Sequence, residues 1–470
     1  TGSSEMRRLF FILIWLIPVI LQSGWIYLGP RGRANQILPT SDSGFIASGY
    51  LRLDAVAYTY LLKLNAYGDS LWIKTFGSMF FFQDCNDLKI TSDSGYILAG
   101  YISPYHQRDK IDIYVVKTDP SGELSWFSII GEENISEDAN SIIQTYDGNF
   151  VIAGYKNSTI SNWDEAYLLK INSTGDTIWT KTWGVDSLND YLVELLETDD
   201  RGLIILGYSS NGFYSKIHLT KTDSLGDTIW TQILIDGGKN HASSIREVPG
   251  KGYVVLAYTS KFSGADDIFI IRTDYFGNTC WSQIYNYGIK DKAYSIELTP
   301  DGGFVVVGTT QVVDFDVYIM KIDSFGHKLW ERTYGSNGHD EGVDISLAPD
   351  NGFSISGFYN YYYKDITIYI IKTDSMGVAV EENIITLPTR NCFSVNYLGN
   401  LRTAIRFSLI QSSQVRVDVY DLSGRLLSTP VDNFYPTGEY CIYWQVPREG
   451  VYFFRIRSNC LEQSIKALML

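Results

Sequence analysis

Long apolar runs are almost absent from this 470-residue chain, the one clear case being LFFILIWLIPVIL at residues 9–21. No segment keeps a sustained helical period of apolar residues, which argues against a helix-built fold. Cysteine is scarce. Cys85, Cys280, Cys392, Cys441 and Cys460 are too few and too scattered for a disulfide-dense scaffold or a metal cluster. Cys441 and Cys460 could pair in an oxidising compartment, and the odd count leaves a free thiol. The five histidines show no HExxH or comparable ligand spacing. Basic charge is also short, with 38 Lys and Arg against 53 Asp and Glu for a net charge of −15. That balance excludes a nucleic-acid partner, because phosphate contact needs a basic surface.

What the chain has instead is 34 Tyr, 11 Trp and 41 Gly, a mixture that favours strands and tight turns. The expected class is all-β. The acidity is concentrated in residues 25–381, whereas residues 382–470 carry nine Lys and Arg against seven Asp and Glu. Acidity of this kind serves solubility and leaves room for a bound cation on an acidic face.

Arg7 and Arg8 precede the apolar run, and a short basic region before about 13 apolar residues reads as a Sec signal peptide. Residues 1–24 are assigned to it, with 1–5 as an upstream remnant before Met6. The remainder of the chain is then expected outside the cytoplasm.

Two landmarks alternate along residues 25–380. The first is a turn followed by an aromatic-led apolar run, as in SDSGYILAG and DGGFVVVG, led by Phe45, Tyr96, Phe150, Leu203, Tyr253, Phe304 and Phe353. Their spacings are 51, 54, 53, 50, 51 and 49, the signature of a repeat architecture. The second landmark is a cation followed by a Gly and a Trp, typified by KTDSLGDTIW at residues 221–230. Its tryptophans are Trp72, Trp126, Trp179, Trp230, Trp281 and Trp330, with Val380 in the seventh copy. Asp-x-x-Gly between two strands is a tight turn that a left-handed Gly closes. Each cation (Lys63, Lys117, Lys170, Lys221, Arg272, Lys321, Lys372) has Asp or Asn two residues later, which suggests an ion-pair ladder on one strand face. A small residue four after each lead (Gly49, Gly100, Gly154, Gly207, Ala257, Gly308, Gly357) suggests crowded backbones near an axis.

Four-stranded units of about 50 residues, seven times over, predict a seven-bladed β-propeller. The missing seventh Trp points to Trp25: residues 25–28 are expected to supply the outer strand of the last blade and close the ring. Alternating strand directions put both Gly turns of a unit on one face and the longer loops on the other. That long-loop face carries the expected ligand-binding residues Tyr105, Trp163, Tyr214, Phe262, Tyr361 and Tyr362, because variable aromatic loops on a rigid scaffold suit binding. Acids accompany them, among them Asp84, Asp138, Asp190 and Asp340; capping of strand starts is the simpler role for these.

After Gly377 the period stops. Residues 381–391 (EENIITLPTRN) read as a linker, and residues 392–470 as a small Ig-like β-sandwich of short alternating strands. Here VYDLSGR at 419–425, TGEY with Trp444, GVYFFRI at 450–456 and Lys466 resemble the C-terminal sorting domain of type IX secretion substrates. NYLGN at 396–400 stands where that family has Pro-Asn-Pro. The resemblance implies the type IX machinery as a partner through residues 392–470. It implies Sec export and then a secreted or outer-surface location, with membrane contact only through surface anchoring. The repeats are similar to propellers that commonly precede such domains.

Chemistry is sparse. The Asp-x-x-Gly-x-x-x-Trp turn resembles the docking turns of quinoprotein propellers, but the vicinal Cys pair and Gly-rich cofactor site of those enzymes are missing. It also resembles the Asp-box of sialidases, without a recognisable Arg triad. No catalytic, cofactor or metal residues are assigned. The expected role is a binding or adhesion module for a carbohydrate or a surface protein. The alternative is a secreted glycoside hydrolase acting through paired carboxylates on the long-loop face.

Overall fold

The computed structural model describes residues 24–379 and 392–469, apart from 54–55, 105–109, 158–162, 185–186, 261–264, 337, 361–365, 400–401, 410–412, 436–437, 449 and 459–461. The expected signal peptide at 1–24, apart from residue 24, and the linker at 381–391 lie outside the described residues. The chain divides into two compact units, Thr1–Val380 and Glu381–Leu470.

The first unit is a β-propeller. Five of its sheets have four antiparallel strands, such as Phe81–Ile90, Tyr96–Pro104, Asp112–Thr118 and Leu124–Ile130. A further seven-stranded sheet is joined by the long strand Trp25–Pro39. The first part of that strand pairs with Thr367–Thr373, beginning at Trp25 opposite Lys372, and the second part pairs with Phe45–Leu53. One strand is therefore outermost for one group and innermost for the next, as the missing Trp led one to expect.

The aromatic-led second strand of each group is buried through its apolar run, so the continuous Val, Ile and Leu serve two neighbouring sheets. The cation-Gly-Trp landmark forms the third-to-fourth hairpin. In the copy at 221–230, Asp223 Oδ1 accepts from the N–H groups of Leu225 and Asp227 at 2.9 Å each, and Gly226 has φ +81°. The Trp of each fourth strand then lies against the Gly turn of the following group. A Cβ on Gly122, Gly226 or Gly377 would come within 2.9 Å of Trp72, Trp179 or Trp330, and one on Gly68 within 2.6 Å of Trp25. Trp25 thus occupies the vacant place.

The expected ladder between each cation and the residue two later does not form. The cation reaches instead across to the Asp of the first hairpin turn: Lys63 to Asp42 (2.8 Å), Lys117 to Asp93 (2.8 Å), Lys221 to Asp200 (2.9 Å), Lys372 to Asp350 (2.8 Å). The residue two later is already committed to its own turn amides. Where the first-hairpin turn lacks an Asp, Arg272 donates to the Tyr253 and Thr273 carbonyls.

The small residue four after each lead has a cause other than general crowding. Opposite it, every innermost strand carries a β-bulge, with register shifts between Ala34 and Gln36, Cys85 and Asp87, Leu192 and Glu194, and Gly342 and Asp344 among others. At the glycines, the carbonyl just before the bulge occupies the space of a side chain: a Cβ on Gly154 would lie 1.9 Å from the Asp138 main-chain oxygen.

In the second unit, a three-stranded sheet (Cys392–Gly399, Arg402–Leu409, Gly438–Gln445) and a four-stranded sheet share one core built on Phe407, Val417, Val431 and Phe454. Asp421 closes the VYDLSGR turn by accepting from the Ser423 and Arg425 amides. Asp418, three residues earlier, is buried between Arg416 and Arg457. The Cys441–Cys460 pairing lies outside the described residues.

Candidate functional site: the axial channel

The bulge does more than bend a strand. It turns one extra residue of each innermost strand toward the axis, and Asn35, Asn86, Asn140, Val193, Ser243, Tyr294 and Val343 all line a central cavity of about 580 Å³. The residue after each bulge lines it too, among them Asp87, Ser141, Glu194 and Asp344. Near the axis, side chains join one sheet to the next. Asn35 donates to the Cys85 carbonyl (2.7 Å) and to Asp84 (3.0 Å), and Asn86 donates to the Ala139 carbonyl (2.8 Å) and to Asp138 (3.1 Å). Below them, carboxylates receive the next sheet's amides: Asp87 takes Ile142 N–H, Glu194 takes Ile245 N–H, and Asp344 takes Ile37 N–H.

Two electrostatic layers follow. In the lower one, Arg246 bridges Glu194 (2.7 Å) and Glu297 (3.2 Å), and Lys89 pairs with Asp87 (2.6 Å). Burial works against the charge on Glu194, but Arg246 and Lys89 hold its carboxyl below the ordinary range. The upper layer has Arg33 among its lining residues. Burial pushes Asp84 up to about 7, with Arg33 opposing. Burial, helped by the negative charge of Asp84, pushes Asp138 up to about 7 as well. At neutral pH these two carboxyls share the channel in a mixture of protonation states.

Around the upper layer runs an arc of rings in sequential contact. Tyr155 meets Tyr191 edge-on at 5.0 Å, Tyr191 meets Tyr208 at 5.0 Å, Tyr208 meets His241 at 4.5 Å, and His241 stacks on Tyr258 at 4.9 Å. Tyr155, Tyr208 and Tyr258, like Tyr50 and Tyr101, stand one residue beyond the small position of the second strand. They therefore sit where that strand runs out to the long-loop face. A shallower pocket of about 360 Å³ beside this mouth is lined by Tyr191, Tyr208, His241, Tyr258, Lys239 and Asp266. Burial holds His241 below its usual range, and Lys292 stands over the Tyr258 ring at 5.5 Å.

Of the six aromatics expected from the sequence to bind ligand, Tyr105, Phe262, Tyr361 and Tyr362 lie outside the described residues. Trp163 is half-buried at the head of strand Asp164–Ile171, and Tyr214 is hydrogen bonded to Asp236 with Lys216 over its ring at 5.7 Å. Neither lines the axial cavity. The acids of the long-loop face divide into two kinds. Asp340 accepts from the Ser336 and Asn360 amides (2.7 Å each), and Asp190 accepts from Ser209, so these hold loops. Asp84 and Asp138 face the channel. Among the described residues, no three His, Cys, Asp or Glu side chains gather closely enough to hold a metal ion.

Repeated four-stranded sheets around a lined axis define the class: a β-propeller. No protein-family model matches the chain, and no curated protein matches it. Solved structures similar to it include puromycin hydrolase, at 9% identity and a TM-score of 0.49, over 81% of this chain and 59% of that one. The propeller domain of the Trilobed protease from Pyrococcus furiosus is similar at 9% identity and a TM-score of 0.44, over 77% and 99% of the two chains. Sqt1 from Chaetomium thermophilum is similar at 9% identity and a TM-score of 0.41, over 73% and 95%. The chain thus spans 59% of the length of puromycin hydrolase.

Proposed function

We propose that this chain is a secreted or cell-surface propeller of seven blades that binds carbohydrate at the channel mouth. The observation that carries this reading is the pairing of a tyrosine arc with two channel carboxyls and their asparagine partners. A sugar offers an apolar C–H face and a rim of hydroxyls. It is matched by ring faces beside carboxylate and amide groups, the composition usual for pockets that fix a small polar ligand. Trp163 and Tyr214, which immediately precede the third strands of their sheets, would extend the surface outward. A surface protein is the other ligand this rim would suit, and a cation beside Asp84 and Asp138 would neutralise the pair.

The Trp-on-Gly contacts, from Trp25 on Gly68 round to Trp330 on Gly377, support the count of seven blades. The sorting role of the second unit, as an Ig-like domain read by the type IX machinery, rests on its motifs, as does export through residues 1–24.

A second reading is a glycoside hydrolase using Asp84 and Asp138, favoured by the elevated pKa that a general acid needs. A glycan array run beside a hydrolysis assay on the same glycans separates the two. Retention without turnover supports the binding module. Turnover abolished by Asp138→Asn supports the enzyme, and neither retention nor turnover removes both.

A further inference from the structure

Three residues before each repeat cation, six units place an aromatic side chain: Tyr60, Tyr114, Tyr167, Phe269, Tyr318 and Tyr369. Each is a buried member of the core between its own sheet and a neighbour. The remaining unit has His218 there, opposite Gly207. The imidazole is shorter than a phenol, and the core beside it contains no such ring among its buried residues. The gap stays open as a cavity of about 290 Å³, walled by Trp183, Leu192, Ile205 and Ile233, with Asp190, Lys216, His218 and Thr231 among its polar members. The Nδ1 atom of His218 is buried without a hydrogen-bond partner among the described residues.

The neighbouring units show what the space is shaped for. Tyr167 interacts with the Thr180 side chain, and Tyr318 donates to Glu331 at 2.6 Å. Thr180 and Glu331 hold the same register position on their fourth strands as Thr231, which faces Thr220 with its hydroxyl 3.1 Å away. The phenol is missing, but its hydroxyl partner remains. We infer that the cavity is a binding site for a small phenolic compound, whose ring takes the place of the absent tyrosine and whose hydroxyl bonds to Thr231. Its volume, at the low end for ligand pockets, suits one ring with a short substituent. Burial holds His218 down to about 4, so the imidazole itself is neutral at neutral pH, and the charged groups on the lining are Lys216 and Asp190.

The test is calorimetric titration of the full chain with p-cresol and, separately, toluene. Saturable binding of p-cresol with one site per chain is expected, at least about tenfold tighter than toluene. His218→Tyr fills the space from within and should abolish p-cresol binding while raising the melting temperature. Thr231→Val, which preserves shape, should bring p-cresol down to the level of toluene. No saturation by p-cresol up to about 10 mM, weak even for a ligand this small, overturns the proposal. So does unchanged p-cresol binding in a folded His218→Tyr protein, or equal affinity for the two compounds in the native chain.

Discussion

Trp25 is paired in register with Lys372, near the far end of the propeller unit, while its indole lies over Gly68 and donates to the Ala66 carbonyl at 3.0 Å. This repeats the relation of Trp72 to Lys63 and Gly122. The ring is therefore closed by the same contact that joins every other pair of sheets. Trp25→Ala should cost about as much stability as Trp179→Ala, roughly 2–3 kcal/mol each for a half-buried indole. Deleting residues 25–30 should cost more, since the strand is lost as well. Denaturant melts of the three variants check this; a Trp25→Ala loss far below that of Trp179→Ala would make residues 25–28 a mere tether.

The bulge predicts a specific intolerance. Gly154→Ala sets a methyl group 1.9 Å from the Asp138 oxygen, and relief requires the bulge to shift. We expect a loss of about 3 kcal/mol, at the upper end for overpacking, and weaker ligand binding because Asn140 and Asp138 move with the bulge. Chemical denaturation of this variant beside Gly184→Ala, whose added methyl comes no nearer than 3.1 Å to a flexible Glu165 side chain, gives the comparison.

Stability should peak in mild acid. Asp42, Asp93, Asp200 and Asp301 are held down to about 2, Asp42 and Asp200 chiefly by hydrogen bonds to the turn threonine and cation, Asp93 and Asp301 by the same bonds against burial. Their folded pKa lies below the unfolded value near 3.9, so their contribution is present above it and is lost as pH falls toward 2. Asp84 and Asp138 behave oppositely. They stay protonated in the folded chain up to about 7, so the unfolded chain releases its protons first and stability declines from about pH 4 to 7. Asp344, raised to about 6, and Glu137, raised to about 7, add to the same decline. Melting temperature against pH should fall on both sides of about pH 4–5, and Asp84→Asn with Asp138→Asn should flatten the alkaline limb without touching the acid one.

Much of this architecture was legible because it is repeated. The period, the two hairpin turns and the vacancy filled by Trp25 all follow from aligning seven copies by eye. The channel was missed although it left two signals. Five of the innermost strands read as a small residue, two polar residues and an aliphatic one, as in Ala34-Asn35-Gln36-Ile37 and Cys85-Asn86-Asp87-Leu88, which is the trace of the bulge. The tyrosine following the small position recurs in five units. The cation's partner was not legible. A charge two residues away and a charge across a hairpin look equally close in sequence, and only the prior commitment of Asp223 to its own amides decides between them. The pocket at His218 needed the structure to show that the lost ring left space instead of collapse.

The central claim is that the channel mouth, in front of Asp84 and Asp138, is where the molecule binds carbohydrate. It is tested most directly by the affinity of the best-retained array glycan, measured by titration calorimetry on three proteins. These are the native chain, a Tyr155→Ala, Tyr208→Ala variant, and a Trp163→Ala, Tyr214→Ala variant. Loss of two stacking contacts should weaken binding in the first variant by about tenfold or more, with a smaller loss in the second. Undiminished affinity in a folded Tyr155→Ala, Tyr208→Ala protein would contradict the account.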